Sequence, residues 1–308
     1  MLQVAMLSKW HVHAPGYAKM LQENPDAKIT CVWDEEPARG RAWAEELGVD
    51  FERCLDTLLA RPDVDAVVCD APTNLHPQVM IKAAQAGKHI YTEKVATLRA
   101  PDAQVLKKAV LDNGVTFTIS FPARTEAPYL FAKKLADEGT LGDITMLRVR
   151  NGHNGATAGW LPNYWYNPET TGGGAMMDLG CHPMYLARWI LGEAEEISAT
   201  FAYYTFRQVE DSAACTIRFK NQAIGVVESS LAAFCAPYIL EMYGTKGTYI
   251  VSESGALWAT EATDGKLVPV DIPDDCKGTP HPLAQFVDSC VNGAPVRYDI
   301  DAAIGLPS

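Results

Sequence analysis

Strand-like and helix-like runs alternate through the first 120 residues, and this alternation restricts the fold more than any other feature. Residues 4–7 form a short apolar run, and 17–21 follow with helical character. Residues 29–33 make a second strand that stops at Asp34. Residues 37–47 read as a helix, with Pro37 in its first turn and Gly48 just past its end. A third strand (64–69), a helix (76–86) closed by Gly87, a fourth strand (89–91), a helix (101–111) and a fifth strand (115–120) complete the pattern. Strands separated by helical segments of about 10–15 residues mean βαβ units and a parallel sheet. Near-continuous apolar strands such as Ala66-Val67-Val68-Cys69 fit a sheet covered on both faces. The expected class is α/β, a Rossmann-type doubly wound sheet whose ligands bind beyond the C-terminal strand ends.

The pattern changes near residue 122. A strand at 144–149 and an irregular stretch at 151–171 precede a long helix expected within 172–191. Strands at 213–219, 223–228 and 238–243 then follow in close succession. Short turns between strands predict a large, open, mostly antiparallel sheet in an α+β domain. The expected division is therefore 1–122 and 123–308, which a chain of 308 residues accommodates. Residues 299–306 begin a further helix. An open sheet needs a cover, and a second copy is the commonest one, so a homodimer or homotetramer is expected.

The formal charge of −12 argues against nucleic acid or an anionic membrane surface as partner. No apolar run reaches the roughly 18 residues of a membrane span. Eight cysteines lie scattered without a C-x-x-C pair, as expected of reduced thiols in a cytoplasmic protein.

Several residues at the strand ends carry chemistry. Asp34 can accept hydrogen bonds from both hydroxyls of an adenosine ribose and repel a 2′-phosphate, or it can serve as a turn residue. Arg39 nearby keeps a 2′-phosphate possible, so NAD is expected ahead of NADP. The glycine fingerprint that should follow the first strand is missing: Ser8, Trp10 and His13 stand in its place. Ser8, Lys9, His11 and the following helix start can still attract a phosphate. His11-x-His13 can chelate, but no carboxylate or cysteine adjoins it in sequence, and no metal is expected. Pro72, Thr73, Asn74 and His76 follow the third strand, where they can meet a flat dinucleotide or cap the helix. Glu93 and Lys94 follow the fourth strand, as a site pair or a solvated one. Gly172-Gly173-Gly174 introduces Asp178 and His182, whose i, i+4 spacing puts them on one face of the expected helix. They suit a hydroxyl-binding proton relay, or a buried pair that holds the helix.

These segments together resemble the glucose-fructose oxidoreductase / inositol dehydrogenase / rhizopine-catabolism (Gfo/Idh/MocA) family. The resemblance rests on Thr92-Glu93-Lys94, Pro72-Thr73-Asn74-x-His76 and Gly172-Gly173-Gly174-x-x-x-Asp178-x-Gly180-x-His182-Pro183, and runs over essentially the whole chain. It implies an NAD(P)-dependent oxidoreductase acting on sugars, cyclitols or related polyols. Lys94 matches the E-K-P lysine that contacts cofactor and substrate, although Val95 stands where the family has proline. Asp178 and His182 match the substrate-binding and acid/base pair, Glu93 and Asn74 the nicotinamide end, and Asp34 the ribose carboxylate.

An alcohol dehydrogenase must remove a hydride and a proton. A histidine, with an ordinary pKa of about 6.5, suits the proton step near neutrality, which assigns His182 as acid/base. Lys94 would polarise the oxyanion, and Asp178 would hold a neighbouring hydroxyl or orient His182. His153, Asn154, Trp160 and Trp165 can meet the substrate's hydroxyl rim and C–H faces or form an aromatic-packed loop without ligand contact, and Arg124 can meet a substrate carboxylate or a domain-hinge acid. Two alternatives are a glycosidase that uses NAD for transient redox and a non-catalytic sensor of the same fold.

Overall fold

A computed structural model describes residues 1–305. Two compact units arise, one from residues 1–121 with the segment from Pro280 onward, the other from Pro122–Thr279.

In the first unit six strands, β1 (Leu2–Leu7), β2 (Ala27–Trp33), β3 (Asp50–Phe51), β4 (Ala66–Cys69), β5 (His89–Thr92) and β6 (Phe117–Ile119), lie in the order β3-β2-β1-β4-β5-β6. Every pairing is parallel. This is the order of a dinucleotide-binding sheet, and the reversal between β1 and β4 creates its switch point. Helices α1 (Ala14–Glu23), α2 (Pro37–Leu47), α3 (Leu55–Leu59), α4 (His76–Gln85) and α5 (Ala100–Asp112) connect the strands. All four residues of β4 are fully buried, as a sheet covered on both faces requires. The edge strand β3 and helix α3 escaped the sequence reading, because two and five residues are too short to show a period.

The second unit carries α6 (Ala127–Asp137) and β7 (Ile144–Gly152). Three short or medium helices follow: α7 (Pro168–Thr171), α8 (Ala175–Asp178) and α9 (Cys181–Leu191). Strands β8 (Ala194–Ala202), β9 (Ser212–Phe219), β10 (Ile224–Ser230), β11 (Ile239–Gly244), β12 (Gly247–Ser252), β13 (Gly255–Thr260) and β14 (Val268–Pro269) complete the unit. The eight strands run β14-β13-β12-β11-β7-β10-β9-β8. Only β7 and β10 pair in parallel. Strands β9 and β10 alternate buried with half-exposed or exposed residues, the signature of a sheet packed on one face. β8 is exposed along its whole length.

The final segment corrects the expected boundary. Helices α10 (Pro282–Asn292) and α11 (Ile300–Ile304) belong to the first unit. Leu283, Phe286 and Val287 enter the same core as Met6, Tyr17, Leu21, Trp43 and Tyr91. The amphipathic face of α10 has to bury its apolar stripe, and the covered side of the parallel sheet offers the place. The expected helix at 299–306 is α11, and Leu306 lies outside the described residues.

Candidate functional site

In the first unit the turn after β1 replaces glycines with bonded side chains. Ser8 has φ +78°, the left-handed conformation a glycine would ordinarily supply. Its N–H donates to the Trp33 carbonyl (2.6 Å), and its hydroxyl accepts the Trp10 N–H (3.0 Å). The His11 N–H donates to the Asp70 carbonyl (3.1 Å), so the turn is tied to the ends of β2 and β4. Trp10 and His11 are buried; His13 is exposed.

Asp34 ends β2 as expected, but its carboxylate is fully engaged. It accepts the Lys9 N–H (2.9 Å), the Glu36 N–H (2.8 Å), and Arg39 through Nε (2.9 Å) and Nη2 (2.7 Å). Arg39 also bonds Glu35 and reaches Glu36 at 3.4 Å. Ribose hydroxyls can reach Asp34 only by exchanging with this guanidinium. Four donors account for the lone pairs of two carboxylate oxygens.

Beyond β4, Pro72 and Thr73 are buried and Asn74 is exposed. His76 is buried, with Nδ1 2.8 Å from the Val95 carbonyl and Nε2 2.9 Å from the Ala71 carbonyl. It therefore joins the segments that follow β4 and β5. Burial pushes its pKa below the usual imidazole value, against the pull of the two carbonyls and Glu93. The folded state thus favours neutral His76. Its contribution is present above the unfolded pKa of about 6.5 and is lost as pH falls below it. Melting temperatures from pH 8 to pH 5 should fall less steeply for His76→Gln than for the native protein.

Beyond β5, Glu93 and Lys94 are both buried rather than solvated. The Lys94–Val95 peptide is cis. Glu93 accepts the Lys94 N–H at Oε2 (2.8 Å) and the Tyr17 hydroxyl at Oε1, and Oε1 lies 2.8 Å from His13 Nδ1. Burial would raise the Glu93 pKa, but His11, His13 and Lys94 together hold it well below the usual carboxylate range. Tyr17 and Asp70, absent from the sequence reading, belong to this neighbourhood; no motif spacing points to either.

In the second unit the long helix expected within 172–191 is broken. α8 stops at Asp178, and α9 restarts at Cys181. A Cβ on Gly180 would stand 2.6 Å from the Met176 carbonyl, so only glycine permits this close turn. Asp178 therefore ends one helix and His182 lies in the first turn of the next, with Leu179 and Gly180 between them in right-handed helical conformation. The Trp165 indole donates to Asp178 Oδ2 (3.0 Å). His182 Nδ1 lies 3.0 Å from the Tyr185 hydroxyl, whose oxygen accepts the Ala123 N–H (3.1 Å).

Glu210, also missed, organises the glycine segment. Its carboxylate accepts the N–H groups of Gly174 (2.9 Å) and Met176 (2.9 Å), and its carbonyl accepts that of Ala175 (2.8 Å). Hydrogen bonds to a charged acceptor contribute about 1.5–3 kcal/mol each. A Cβ on Gly174 would lie 1.9 Å from the Glu210 carbonyl oxygen, a backbone atom that cannot step aside cheaply. Gly174→Ala should cost about 1–3 kcal/mol or more, read by urea unfolding.

The remaining candidates form small clusters. The His153 and Trp160 rings are 4.6 Å apart, and the Trp160 indole donates to Asn154 Oδ1 (3.1 Å). Trp165 is buried and Trp160 is 54% exposed. The Arg124 guanidinium stacks 4.7 Å from the Trp189 ring centre.

A parallel sheet in dinucleotide-binding order, a buried acid and lysine at its ligand end, and a second unit on an open sheet define a Rossmann-type oxidoreductase. Residues 12–121 match the oxidoreductase family with the NAD-binding Rossmann fold, and residues 129–250 match the GFO/IDH/MocA C-terminal domain. The chain belongs to the Gfo/Idh/MocA family. It is 29% identical over 301 residues to scyllo-inositol 2-dehydrogenase (NAD(+)) of Bacillus subtilis (strain 168), covering 92% of this chain and 84% of that one. Inositol 2-dehydrogenase of Rhizobium meliloti (strain 1021) is 28% identical over 239 residues, covering 75% and 70%. A solved levoglucosan dehydrogenase, in complex with NADH and levoglucosan, shares the fold with a TM-score of 0.82 at 20% identity, covering 98% and 93%.

Proposed function

We propose that the chain is an NAD(H)-dependent dehydrogenase that exchanges a hydride with a secondary hydroxyl or ketone of a sugar, cyclitol or related polyol. The observation that carries this reading is the buried Glu93-Lys94 pair at the end of β5, in a parallel sheet whose β2 ends in Asp34. The named inositol dehydrogenases support the substrate class. Neither a glycosidase nor a sensor is favoured beside them.

Bound nicotinamide supplies the hydride acceptor or donor. The chain's residues supply the rest. Lys94 donates to the reacting oxygen and steadies its developing charge. His182 takes or gives the hydroxyl proton. Tyr185 beside Nδ1 can donate to it or accept from it, which lets Nε2 serve in either direction. Asp178, oriented by Trp165, holds a neighbouring hydroxyl. His153, Asn154 and Trp160 offer polar edges and a ring plane to the sugar, and Arg124 would take a carboxylate.

NAD is preferred to NADP because Arg39 is already neutralised by Asp34, Glu35 and Glu36, and a 2′-phosphate would meet these acids. Ile197 and Phe201, 47% and 49% exposed on β8, support a homodimer or homotetramer formed through the second sheet. The eight free cysteines support a cytoplasmic location.

The test is a titration with NADH and NADPH, followed by nicotinamide fluorescence and thermal shift, then a polyol screen for NADH formation. Tighter NADH binding and turnover of a polyol are expected. Binding of neither cofactor, or aglycone release from a glycoside without net NADH, would overturn the reading.

A further inference from the structure

The His11-x-His13 pair lacks a third ligand in sequence, and the fold supplies one from 80 residues away. Among the described residues, His11, His13 and Glu93 form a group whose ligand atoms all lie within 4.8 Å of one another. His13 Nδ1 is 2.8 Å from Glu93 Oε1, and His11 Nε2 is 3.9 Å from Glu93 Oε2. Two imidazoles and a carboxylate are a donor set for first-row divalent metals, Zn²⁺ among them.

A second observation points to the same place. Asp70 is fully buried, and neither of its carboxylate oxygens has a hydrogen-bond partner. Buried carboxylates are ordinarily paired or coordinated, and an orphaned one calls for an explanation. Its carbonyl holds the His11 N–H, so it is anchored to the same turn.

We infer that His11, His13 and Glu93 form a divalent transition-metal site, with Asp70 as a buried acid anchored to the same turn. The Tyr17 hydroxyl and the Lys94 N–H already orient the Glu93 carboxylate, as outer partners orient metal ligands. Zinc–ligand bonds of about 2.0–2.2 Å require the three donors to draw inward. The His13 side chain, 51% exposed, is free to make that adjustment. Binding at His11 Nε2 moves the ring proton to Nδ1 and gives up the 3.2 Å bond from the His13 N–H. Metal binding needs an unprotonated nitrogen on each ring. The site stands on unit-one residues alone and holds whether or not the chain transfers hydride.

The experiment is a Co²⁺ titration of untagged, chelator-treated protein without dinucleotide, followed by visible d–d absorption and then Zn²⁺ displacement. One equivalent of Co²⁺ is expected, displaced by Zn²⁺. His13→Ala should abolish this uptake, and Asp70→Asn should weaken it by about 10–100-fold. Zn²⁺ should also raise the melting temperature of the native protein and not that of His13→Ala, whose own melting confirms that it folds. No stoichiometric uptake by the native protein, or uptake unchanged in His13→Ala, would overturn the site.

Discussion

Lys94→Ala should lower kcat by about 10²–10⁴-fold with a melting temperature close to the native one. Lys94 is buried at the ligand end of β5, next to a carboxylate that accepts its own N–H. A side chain in that position is costly to keep for stability alone. Its removal takes away the donor proposed to steady the reacting oxygen, an interaction that strengthens as charge develops. The loss should therefore fall on kcat more than on KM. Lys94→Arg should not restore turnover, because a planar guanidinium replaces a compact ammonium. Steady-state kinetics on the polyol found by screening make the measurement. Near-native kcat in Lys94→Ala would remove this lysine from the chemistry.

The second large effect concerns folding. Phe286 is 0% exposed and sits on α10, more than 160 residues beyond the end of the sheet it packs on in sequence. Its ring centre lies 5.9 Å from that of Tyr91 on β5, within the core shared with Met6 and Trp43. Phe286→Ala should cost about 3–5 kcal/mol, since the lost transfer energy is joined by that of the cavity left behind. Urea unfolding should show the loss, and NADH binding should weaken with it, because α10 belongs to the cofactor-binding unit. Unchanged stability would mean that the final segment does not complete the first core.

Much of this was legible beforehand, because it depends on local pattern. Helix α2 falls on 37–47, where Pro37 and Gly48 mark its ends, and the left-handed φ of +69° at Gly48 is the conformation a helix-stopping glycine supplies. The placement of Asp34, Glu93 and Lys94 at strand ends follows from the same alternation. The helix break at 179–180 was not legible. The i, i+4 spacing of Asp178 and His182 assumes an uninterrupted helix, while the close packing of Gly180 on Met176 interrupts it. Glu210 could not be found from spacing either, since it caps Gly174 from 36 residues away.

The sequence by itself determined the parallel sheet, the family motifs and the acid, lysine and histidine that carry them, since each is written in short-range period and spacing. Tertiary structure alone decided that Arg39 and two backbone N–H groups together saturate Asp34, that His11 and His13 meet Glu93 near a buried Asp70 carboxylate without a hydrogen-bond partner, and that α10 completes the first core. These contacts join residues brought together only by strand order and burial, and a carboxylate's partners and solvation cannot be read from its neighbours in the chain.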